Sequence, residues 1–362
     1  MSDTKPHRAR RPDLPTPAAV PGARYETVLV PATPEHPRNM EGAMIRLLDG
    51  RILLAWDHHY EAEPSDFSPG RVSAMASADR ARTWGAPFTL QENVAGFNVH
   101  APAFLRLPSG RLAFFCVHQD DHDCSREFVR FSGDDGATWT EPQLITPDRV
   151  RQYMHHHRAV LLPTGRILLP MCWAPDHRVP GANFPVVCWY SDDQGATWHR
   201  GRQEIVLPRR GAMEPVVVER RDGSLLMSIR TQLGDQYRAV SHDGGETWTD
   251  VRPMGLVGSE SPAMLRRIPS TGDLLIIWNH ETDPTERRRT PLTAAISRDD
   301  GDTWENVRDL EHDPAYSYAY PTLYFQEDEV VLTYYVAPRG VNRLSLKLKI
   351  LPVGWFYEGA GV

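Results

Sequence analysis

The stretch Ser132-Gly-Asp-Asp-Gly-Ala-Thr-Trp139 follows the pattern S-x-D-x-G-x-T-W and recurs along this chain of 362 residues. Its full copies are Ser191–Trp198, Ser241–Trp248 and Ser297–Trp304, and a degraded copy, with Ala81 in place of the glycine, is Ser77–Trp84. The closing tryptophans are separated by 55, 59, 50 and 56 residues. A period of this length is typical of propellers and repeat arrays, so the repeat predicts the architecture.

A second repeat lies upstream of each tryptophan motif and consists of two apolar strands joined by a tight turn. Dipeptides such as Asp49-Gly50 supply the positive φ that two-residue hairpin turns require. The predicted hairpins are Ala43–Leu54, Ala103–Phe115, Ala159–Leu169, Val216–Ile229, Ala263–Ile277 and Leu323–Tyr334. A third strand and the tryptophan turn follow the hairpins. The pattern therefore predicts an all-β fold, a six-bladed β-propeller of four-stranded antiparallel blades.

The sixth hairpin is followed by the strand-like stretch Arg343–Leu351 but by no tryptophan motif. We expect the early strand Tyr25–Val30 to pair there as the outer strand that is otherwise missing. Residues 24–362 would then form a single propeller domain, preceded by a polar, disordered segment at residues 1–23 that is rich in arginine and proline.

Composition narrows the classes of function and location. The net charge of −7 and the absence of a long basic run disfavour nucleic acid as a partner. The N-terminal segment has no apolar region, so we expect neither a secretory signal nor a membrane span, and a cytoplasmic location. The oligomeric state is left open.

The four cysteines, Cys116, Cys124, Cys172 and Cys188, show no C-x-x-C spacing, which disfavours a zinc site or a redox pair. Buried free thiols are favoured over a bridge between Cys116 and Cys124. We expect no cofactor.

Within the tryptophan motif, the residue types indicate a structural role. Aspartate and serine bond to nearby backbone amides, glycine permits the turn, and tryptophan packs a large ring against strands. The 12-residue loop ending in glutamate that an EF-hand calcium site requires is absent. Together with the hairpins, these motifs resemble the Asp boxes, or BNR repeats, of the sialidase superfamily of six-bladed propellers, over roughly residues 24 to 352.

The residues that open each first hairpin strand are polar, unlike the apolar strands they precede. These polar openings are Asn39–Gly42, Asn98–Ala101, His155–Arg158, Met213–Pro215, Ser259–Pro262 and Tyr318–Pro321. In a propeller the innermost strands line the axis, so the openings should converge at one end of it. Six convergent polar clusters favour a wet pocket over a packed core.

Glu214 and Tyr320 are the predicted catalytic pair. A phenol with a pKa of ~10 is only about 0.1% ionised at neutral pH, so nucleophilic use of tyrosine requires roughly 4 kcal/mol of compensation. A carboxylate base and nearby arginines supply such compensation. The resemblance implies the same pair: Glu214-Pro-Val-Val resembles the glutamate strand of sialidases, and Tyr320-Pro-Thr-Leu323 resembles their tyrosine element, which attacks the anomeric carbon.

The resemblance also implies that Arg230 and Arg289 are two of the three arginines that bind a substrate carboxylate in sialidases. The place of the first arginine reads Asn39-Met-Glu-Gly42 here, and Arg46 is out of register. The third opening, His155–Arg158, stands where sialidases have a segment rich in glycine and proline. A sugar acid other than sialic acid, or a neutral glycan, is therefore an open alternative.

Histidines and acidic residues of the openings admit several roles. His100, His156 and either His58 or His59 suit acid–base chemistry, a metal site with Glu41 or Glu214, or hydrogen bonds to substrate. We assign His156 to catalysis and expect no metal. For the general acid the candidates are Asp57 and Asp66, and Asp66 is nearer to the register of sialidases. The remaining residues assigned to substrate binding are Arg158, His100, Glu41, Asn98 and Asn279.

The prediction is a sialidase-like exo-glycoside hydrolase that acts on a terminal, acidic sugar, with carbohydrate as its partner. One alternative is a uronate lyase, because histidine, tyrosine and arginine together can abstract a proton next to a carboxylate and stabilise the anion. The other alternative is a glycan-binding propeller without catalysis.

Overall fold

The structure is a computed structural model that describes residues 22–60, 64–174, 183–283 and 288–358. Most of it consists of β-hairpins, whose strands are joined by the predicted tight turns. The described residues form an all-β fold. Strands of the first group are β2 (Arg38–Arg46), β3 (Ile52–His59), β4 (Gly70–Ser77) and β5 (Phe88–Gln91). Those of the second group are β6 (Asn98–Arg106), β7 (Leu112–Gln119), β8 (Ser125–Ser132) and β9 (Gln143–Leu144).

The third group is more fragmented than the others. Its strands are β10 (Arg151–Tyr153), β11 (Val160–Leu161), β12 (Ile167–Ala174), β13 (Pro185–Ser191), β14 (His199–Arg200) and β15 (Ile205–Val206). The predicted hairpin Ala159–Leu169 is confirmed, since Val160 pairs with Leu168 and Leu161 with Ile167. Strand β10 also pairs with β12, and the chain between β10 and β11 leaves the sheet. His157 lies in that interruption and has φ 53°.

The fourth to sixth groups have four strands each. Those of the fourth are β16 (Met213–Glu219), β17 (Leu225–Arg230), β18 (Asp235–Ser241) and β19 (Thr249–Val257). Those of the fifth are β20 (Met264–Arg267), β21 (Leu274–Asn279), β22 (Leu292–Ser297) and β23 (Glu305–Glu311). Those of the sixth are β24 (Tyr316–Gln326), β25 (Glu329–Pro338), β26 (Ser345–Pro352) and β1 (Tyr25–Val30).

The predicted pairing of the chain's early strand with its last one is confirmed. Strand β1 runs antiparallel to β26, with Tyr25 opposite Ile350 and Thr27 opposite Leu348. A 3-10 helix, Val353–Tyr357, follows β26. Among the helices of the described residues, none is long and apolar enough to span a membrane.

Neighbouring groups meet mostly through their first strands. Strand β2 packs against both β6 and β24, β16 packs against β12 and β20, and β20 packs against β24. Single parallel residue pairs, Gly70 with Asn98 and Arg151 with Ser125, link the first three groups into one 14-stranded sheet. The residues before each hairpin turn are thereby brought toward a common centre.

The tryptophan turns hold their own backbone through side-chain hydrogen bonds. In the turn at Ser132, the Asp134 carboxylate accepts bonds from the Thr138 amide at 2.8 Å and the Ser132 hydroxyl at 2.8 Å, while Ser132 Oγ accepts the Gly136 amide at 2.7 Å. The degraded turn keeps this geometry because Ala81 adopts φ 67° and donates its amide to Ser77 Oγ at 2.9 Å. These turns are structural.

Aromatic packing links the turns to strands of their own and of adjacent groups. The Trp198 ring, in the turn between β13 and β14 of the third group, lies edge-on to Phe115 of the second group, with 6.1 Å between ring centroids. Trp139 lies 5.6 Å from Phe114 in the same manner. The four cysteines are buried and free, as predicted.

The boundary of the propeller domain at residue 24 stays a prediction. Of the segment predicted to be disordered, residues 1–21 lie outside the described residues.

Candidate active site

Four of the first strands carry a β-bulge at an equivalent position, and the bulged residue has a positive φ. These residues are Glu41 (φ 55°) in β2, Ala101 (56°) in β6, Glu214 (43°) in β16 and Tyr320 (56°) in β24. A non-glycine residue in this conformation costs on the order of 1–3 kcal/mol, and such strain concentrates at functional sites. A bulge also re-aims the side chain it carries.

One cavity collects side chains from five of the six polar openings. Three of its residues, Glu41, Glu214 and Tyr320, are bulged residues from three different strands. The full lining consists of Met40, Glu41, His59, Asp66, His100, Gln119, Arg151, Tyr153, His155, Glu214 and Tyr320. Glu260, of the fifth opening, does not line the cavity but accepts a hydrogen bond from Arg230 at 3.2 Å. The structure therefore brings most of the predicted openings together.

Glu214 lies at the centre of the polar contacts. Its Oε1 atom is 2.6 Å from Arg230 Nη1, 3.0 Å from His155 Nε2 and 3.4 Å from the Tyr320 hydroxyl. Burial alone would raise the pKa of this carboxyl, but Arg230 and His155 hold the pKa well below its usual value. Glu214 is therefore a carboxylate facing two cations and one phenol.

Tyr320 donates its hydroxyl to that carboxylate and lies beside a second arginine. The guanidinium carbon of Arg289 is 5.3 Å from the Tyr320 ring centroid, and Arg289 Nη1 donates to the Tyr335 hydroxyl at 3.0 Å. Burial and the Glu214 charge raise the pKa of Tyr320 above its usual range, and Arg289 and Arg230 oppose that rise. The phenol is neutral at rest, with two arginines positioned to favour its anion.

His155 bridges two buried carboxylates. Its Nε2 atom faces Glu214 Oε1 at 3.0 Å and its Nδ1 atom faces Glu41 Oε2 at 3.4 Å. The imidazole stacks on Tyr320 with 5.4 Å between ring centroids and 26° between planes. Burial would lower the pKa of His155, but the attraction of Glu214 and Glu41 raises it to about 9. His155 is thus an imidazolium at neutral pH, a role that its place in the opening did not reveal.

Asp66 reaches the cavity through a loop that is anchored from two sides. Its Oδ1 atom accepts a bond from Arg38 Nη2 at 2.6 Å, and Asn98 Nδ2 donates to the backbone carbonyls of Asp66 and Ser68 at 3.0 Å each. Burial raises the pKa of Asp66, but Arg38 outweighs burial and the net shift is downward.

Arg38 was missed at the level of sequence. In a strand, every second side chain lies on the same face. Arg38 precedes the cavity residue Met40 by two positions in β2, so this alternation is the signal in the sequence that could have identified it. The residue is 4% exposed, and its Nε and Nη1 atoms have no hydrogen-bond partner among the described residues. The same alternation, counted back four residues from His155, identifies Arg151, which also lines the cavity.

Four predicted site residues lie behind the cavity wall and bond to backbone carbonyls. Arg158 donates to the carbonyls of Glu214 and Ala263, and Asn279 donates to those of Pro291 and Tyr318. Asn98 holds the Asp66 loop, and His156 Nε2 lies 3.3 Å from the Pro321 carbonyl. Since none of the four is among the cavity-lining residues, their direct contact with substrate stays a prediction.

The other histidines near the cavity are neutral, because burial lowers the pKa of His100 to about 4, that of His59 to about 3 and that of His58 to about 4. His100 and His59 line the cavity, and His58 does not. Asp57, the other candidate for the general acid, is fully buried, and its Oδ1 atom accepts a hydrogen bond from the Ala101 amide at 2.7 Å. Burial, together with Glu41, raises the pKa of Asp57 well above its usual value.

Two clusters contain the ligand types that divalent cations use. Glu41, His155 and His156 form one, and Glu41, Asp57 and His100 form the other, each with ligand atoms within 4.8 Å of one another. In the first cluster both His155 nitrogens already face carboxylates. In this first cluster, those contacts match a protonated imidazole held between two carboxylates.

Comparisons with known proteins give a consistent family. The family model described as a BNR repeat-like domain matches residues 38–332. A sialidase from Micromonospora viridifaciens is 31% identical over 307 residues, covering 71% of this chain and 43% of that protein. A sialidase from Clostridium perfringens is 25% identical over 238 residues, covering 58% of this chain and 60% of that protein. The chain thus spans about half the length of these relatives.

Solved structures show the same fold. Trypanosoma rangeli sialidase in complex with 2,3-difluorosialic acid, described as a covalent intermediate, superposes with a TM-score of 0.73 at 14% identity. The superposition covers 94% of this chain and 60% of that chain.

Proposed function

Because this chain belongs to the sialidase superfamily, as a member of its BNR repeat-like family, we propose that it is an exo-glycoside hydrolase acting on a terminal, acidic sugar. The observation that carries the proposal is the contact of 3.4 Å between the Tyr320 hydroxyl and Glu214 Oε1, with the guanidinium of Arg289 beside the Tyr320 ring.

The proposed scaffold is a closed propeller of six four-stranded blades. The packing of β2 against both β6 and β24, and the pairing of β1 with β26, support closure between the first and sixth groups. In such a ring the polar openings surround the axis, and the cavity is the substrate pocket.

The proposed reaction begins with attack of the Tyr320 oxygen on the anomeric carbon of the substrate. The Tyr320 proton leaves toward Glu214, and Arg289 and Arg230 stabilise the developing negative charge on the phenol oxygen. The bond from the anomeric carbon to the leaving-group oxygen breaks, and that oxygen takes a proton from Asp66. Water then attacks the anomeric carbon, breaks its bond to the Tyr320 oxygen and gives a proton to Asp66, while the proton at Glu214 returns to Tyr320. A tyrosine nucleophile is suited to an anionic sugar because a carboxylate nucleophile would be repelled by the substrate charge.

Arg230 and Arg289 are the proposed partners of the substrate carboxylate, and both guanidinium groups lie at the Glu214–Tyr320 pair. Met40 lines the cavity at the place where the resemblance to sialidases implies the first arginine. Arg38 is two residues away on the same strand, and its Nε and Nη1 atoms lack hydrogen-bond partners within the part of the chain that the structure describes. The remaining predicted contacts, His100 and Glu41, lie in the cavity wall.

Asp66 is the proposed general acid. The Arg38 contact keeps it ionised at rest, so a leaving-group oxygen must displace Arg38 before Asp66 can hold a proton for it. The same ionised state suits Asp66 to activate water in the second half of the reaction.

Turnover of a matched panel tests the proposal. The panel contains 4-methylumbelliferyl glycosides of N-acetylneuraminic acid, glucuronic acid and galacturonic acid, with the galactoside as a neutral control. We expect fluorophore release from an acidic glycoside with the wild type and none with Tyr320→Phe. Release at the wild-type rate by Tyr320→Phe, or release from the galactoside alone, would overturn the proposal.

A uronate lyase is the second candidate, and the stacking of His155 on Tyr320 is the observation that favours it. Its weakness is that both His155 nitrogens face carboxylates, so neither is directed at a substrate proton. Ultraviolet absorbance of an unsaturated product from a polyuronate would identify elimination. Sugar binding by calorimetry without turnover of any substrate would identify a glycan-binding protein.

A further inference from the structure

We propose that Glu41 and His155 complete a proton network with Glu214 and Tyr320, in which His155 takes up the proton that Tyr320 loses and Glu41 positions His155. This inference rests on the proposed function, because it concerns how the Tyr320 nucleophile is formed. It adds two residues from the first and third polar openings to the pair from the fourth and sixth.

The geometry forms a continuous chain of acid–base groups. The Tyr320 hydroxyl is 3.4 Å from Glu214 Oε1, the same oxygen is 3.0 Å from His155 Nε2, and His155 Nδ1 is 3.4 Å from Glu41 Oε2. Glu41 is 2% exposed, and His155 and Glu214 are 6% exposed. Tyr153 packs edge-on to His155 at 5.2 Å between centroids, so the imidazole is held on several sides.

Glu214 alone is a poor acceptor for the proton of Tyr320. Its Oε1 atom already accepts a bond from Arg230 at 2.6 Å, and a cationic donor weakens the proton affinity of a carboxylate. An imidazole binds a proton about two pK units more tightly than a carboxylate in the unperturbed case. The histidine beyond Glu214 is therefore the better resting place for the proton.

The proposed step starts from neutral His155 with its proton on Nδ1, donated to Glu41. The O–H bond of Tyr320 breaks, the proton passes over Glu214 Oε1, and an N–H bond forms at His155 Nε2. The phenol oxygen forms a bond to the anomeric carbon while the bond to the leaving group breaks, and the leaving oxygen takes a proton from Asp66. Glu214 ends as a carboxylate and His155 as an imidazolium between two carboxylates. Hydrolysis of the glycosyl-tyrosine reverses the transfer.

Charges on every side of His155 set the pH at which it can accept. Glu41 of β2 and Glu214 of β16 raise its pKa to about 9, after burial has lowered it. The other titratable groups that face or influence it are Tyr153, His156, Tyr320, His100 and Glu127. Because the accepting form is neutral His155, its population increases about tenfold per pH unit up to about pH 9.

The test uses an acidic 4-nitrophenyl glycoside, whose leaving group needs no acid, so that only the nucleophile side limits kcat/KM. For the wild type we expect kcat/KM to rise with pH and level off near 9. Glu41→Gln removes a charge that raises the pKa of His155, so the rise should level off at a lower pH. In His155→Gln we expect at least a tenfold loss of kcat/KM and no levelling near 9.

Glu260→Gln is the matched control, because it removes a carboxylate that contacts Arg230 at 3.2 Å but not His155. We expect its pH profile to level off where that of the wild type does. Melting temperatures of all variants, measured across the same pH range, identify any loss that is due to unfolding. A wild-type profile that survives in His155→Gln, or one that Glu41→Gln leaves in place, would overturn the network.

Titration of His155 by nuclear magnetic resonance separates this inference from the proposed function, since it needs no turnover. The resonance is assigned by its disappearance in His155→Gln. We expect its pKa to lie near 9 in the full-length wild type and to fall in Glu41→Gln. A pKa near the ordinary value, or one unchanged by Glu41→Gln, would contradict the network even if the enzyme hydrolyses an acidic glycoside. Conversely, the expected titration without turnover of any glycoside would leave the network in place and reject the hydrolase.

Discussion

The tryptophan turns and the cavity differ in how the repeats treat equivalent positions. Asp134, Asp193 and Asp299 accept the same bonds from serine and threonine, and their distances to the threonine amide lie between 2.8 and 2.9 Å. At the bulges of the first strands, by contrast, the backbone conformation is kept while the side chain changes from glutamate to alanine to tyrosine. Equivalent positions that keep the same residue therefore indicate the structural turns. Equivalent positions that keep the backbone conformation but change the side chain indicate the candidate active site.

The largest expected effect is a loss of turnover on mutation of the bulged residue Tyr320 in the cavity. Tyr320→Phe removes one oxygen, whose only described bond is the one of 3.4 Å to Glu214. We expect kcat to fall by at least ~10³-fold, because a group acting as nucleophile has no substitute. We expect the melting temperature to change little, since a bond of this length contributes only about 1 kcal/mol or less. Steady-state kinetics and calorimetry check the two halves of the prediction, and loss of both would assign Tyr320 to the scaffold.

A smaller effect is expected on substrate selection. Arg289→Lys keeps a positive charge but removes the planar donor beside Tyr320. We expect KM for an acidic glycoside to rise about tenfold or more, since a hydrogen bond to a charged group contributes ~1.5–3 kcal/mol. The ratio of kcat/KM for acidic and neutral glycosides, measured for both proteins, checks it. An unchanged ratio would remove Arg289 from carboxylate recognition.

The turns predict the opposite pattern, a loss of stability with activity intact. Asp193→Ala removes bonds from Ser191 Oγ at 2.8 Å, the Thr197 amide at 2.9 Å and Thr197 Oγ1 at 2.6 Å. We expect a loss of about 1–2 kcal/mol in the free energy of unfolding, because the turn is exposed and screened by solvent. The adjacent Asp192→Ala breaks only a surface ion pair with Arg166 and should cost less than about 1 kcal/mol. Denaturant unfolding of both variants gives the difference, and equal losses would contradict the structural reading of the motif.

The smallest expected effect is the acid dependence of that same turn. Hydrogen bonds from Thr197 and Ser191 lower the pKa of Asp193 to about 2, whereas an unfolded aspartate titrates at ~3.9. A lowered folded-state pKa contributes stability that is complete above the unfolded pKa and is lost as the pH falls through about 2. The stability difference between wild type and Asp193→Asn should therefore shrink between about pH 4 and pH 2. A difference that stays constant over this range would mean that the charge of Asp193 has no part in it.

Much of the scaffold could be predicted because its signals are local. Turn dipeptides and alternating strands located the hairpins, and the missing sixth motif led to the pairing of Tyr25–Val30 with the last strand. In the third group the hairpin around Thr164-Gly165 was predicted, but the separation of β10 from β11 at residues 154–159 was not, because that stretch contains no glycine or proline to signal it.

The sequence predicted which segments line the cavity, but not which side chains contact one another there. The period of the turns located the openings, and Glu214 and Tyr320 were found to be in contact. The partners of each side chain depend on bulges and on neighbouring strand groups, which a single sequence does not encode locally. Arg38 next to Asp66 and His155 between two carboxylates are contacts of this kind, and so are the carbonyl contacts of Arg158 and Asn279.

The most direct measurement is peptide mapping of the enzyme after reaction with the fluorinated, slowly hydrolysed analogue of its best acidic glycoside. A tyrosine nucleophile predicts a mass increase of one sugar on the peptide that contains Tyr320, and no such increase in Tyr320→Phe. An enzyme that turns over the glycoside but carries the sugar on another residue, or on none, would contradict the account.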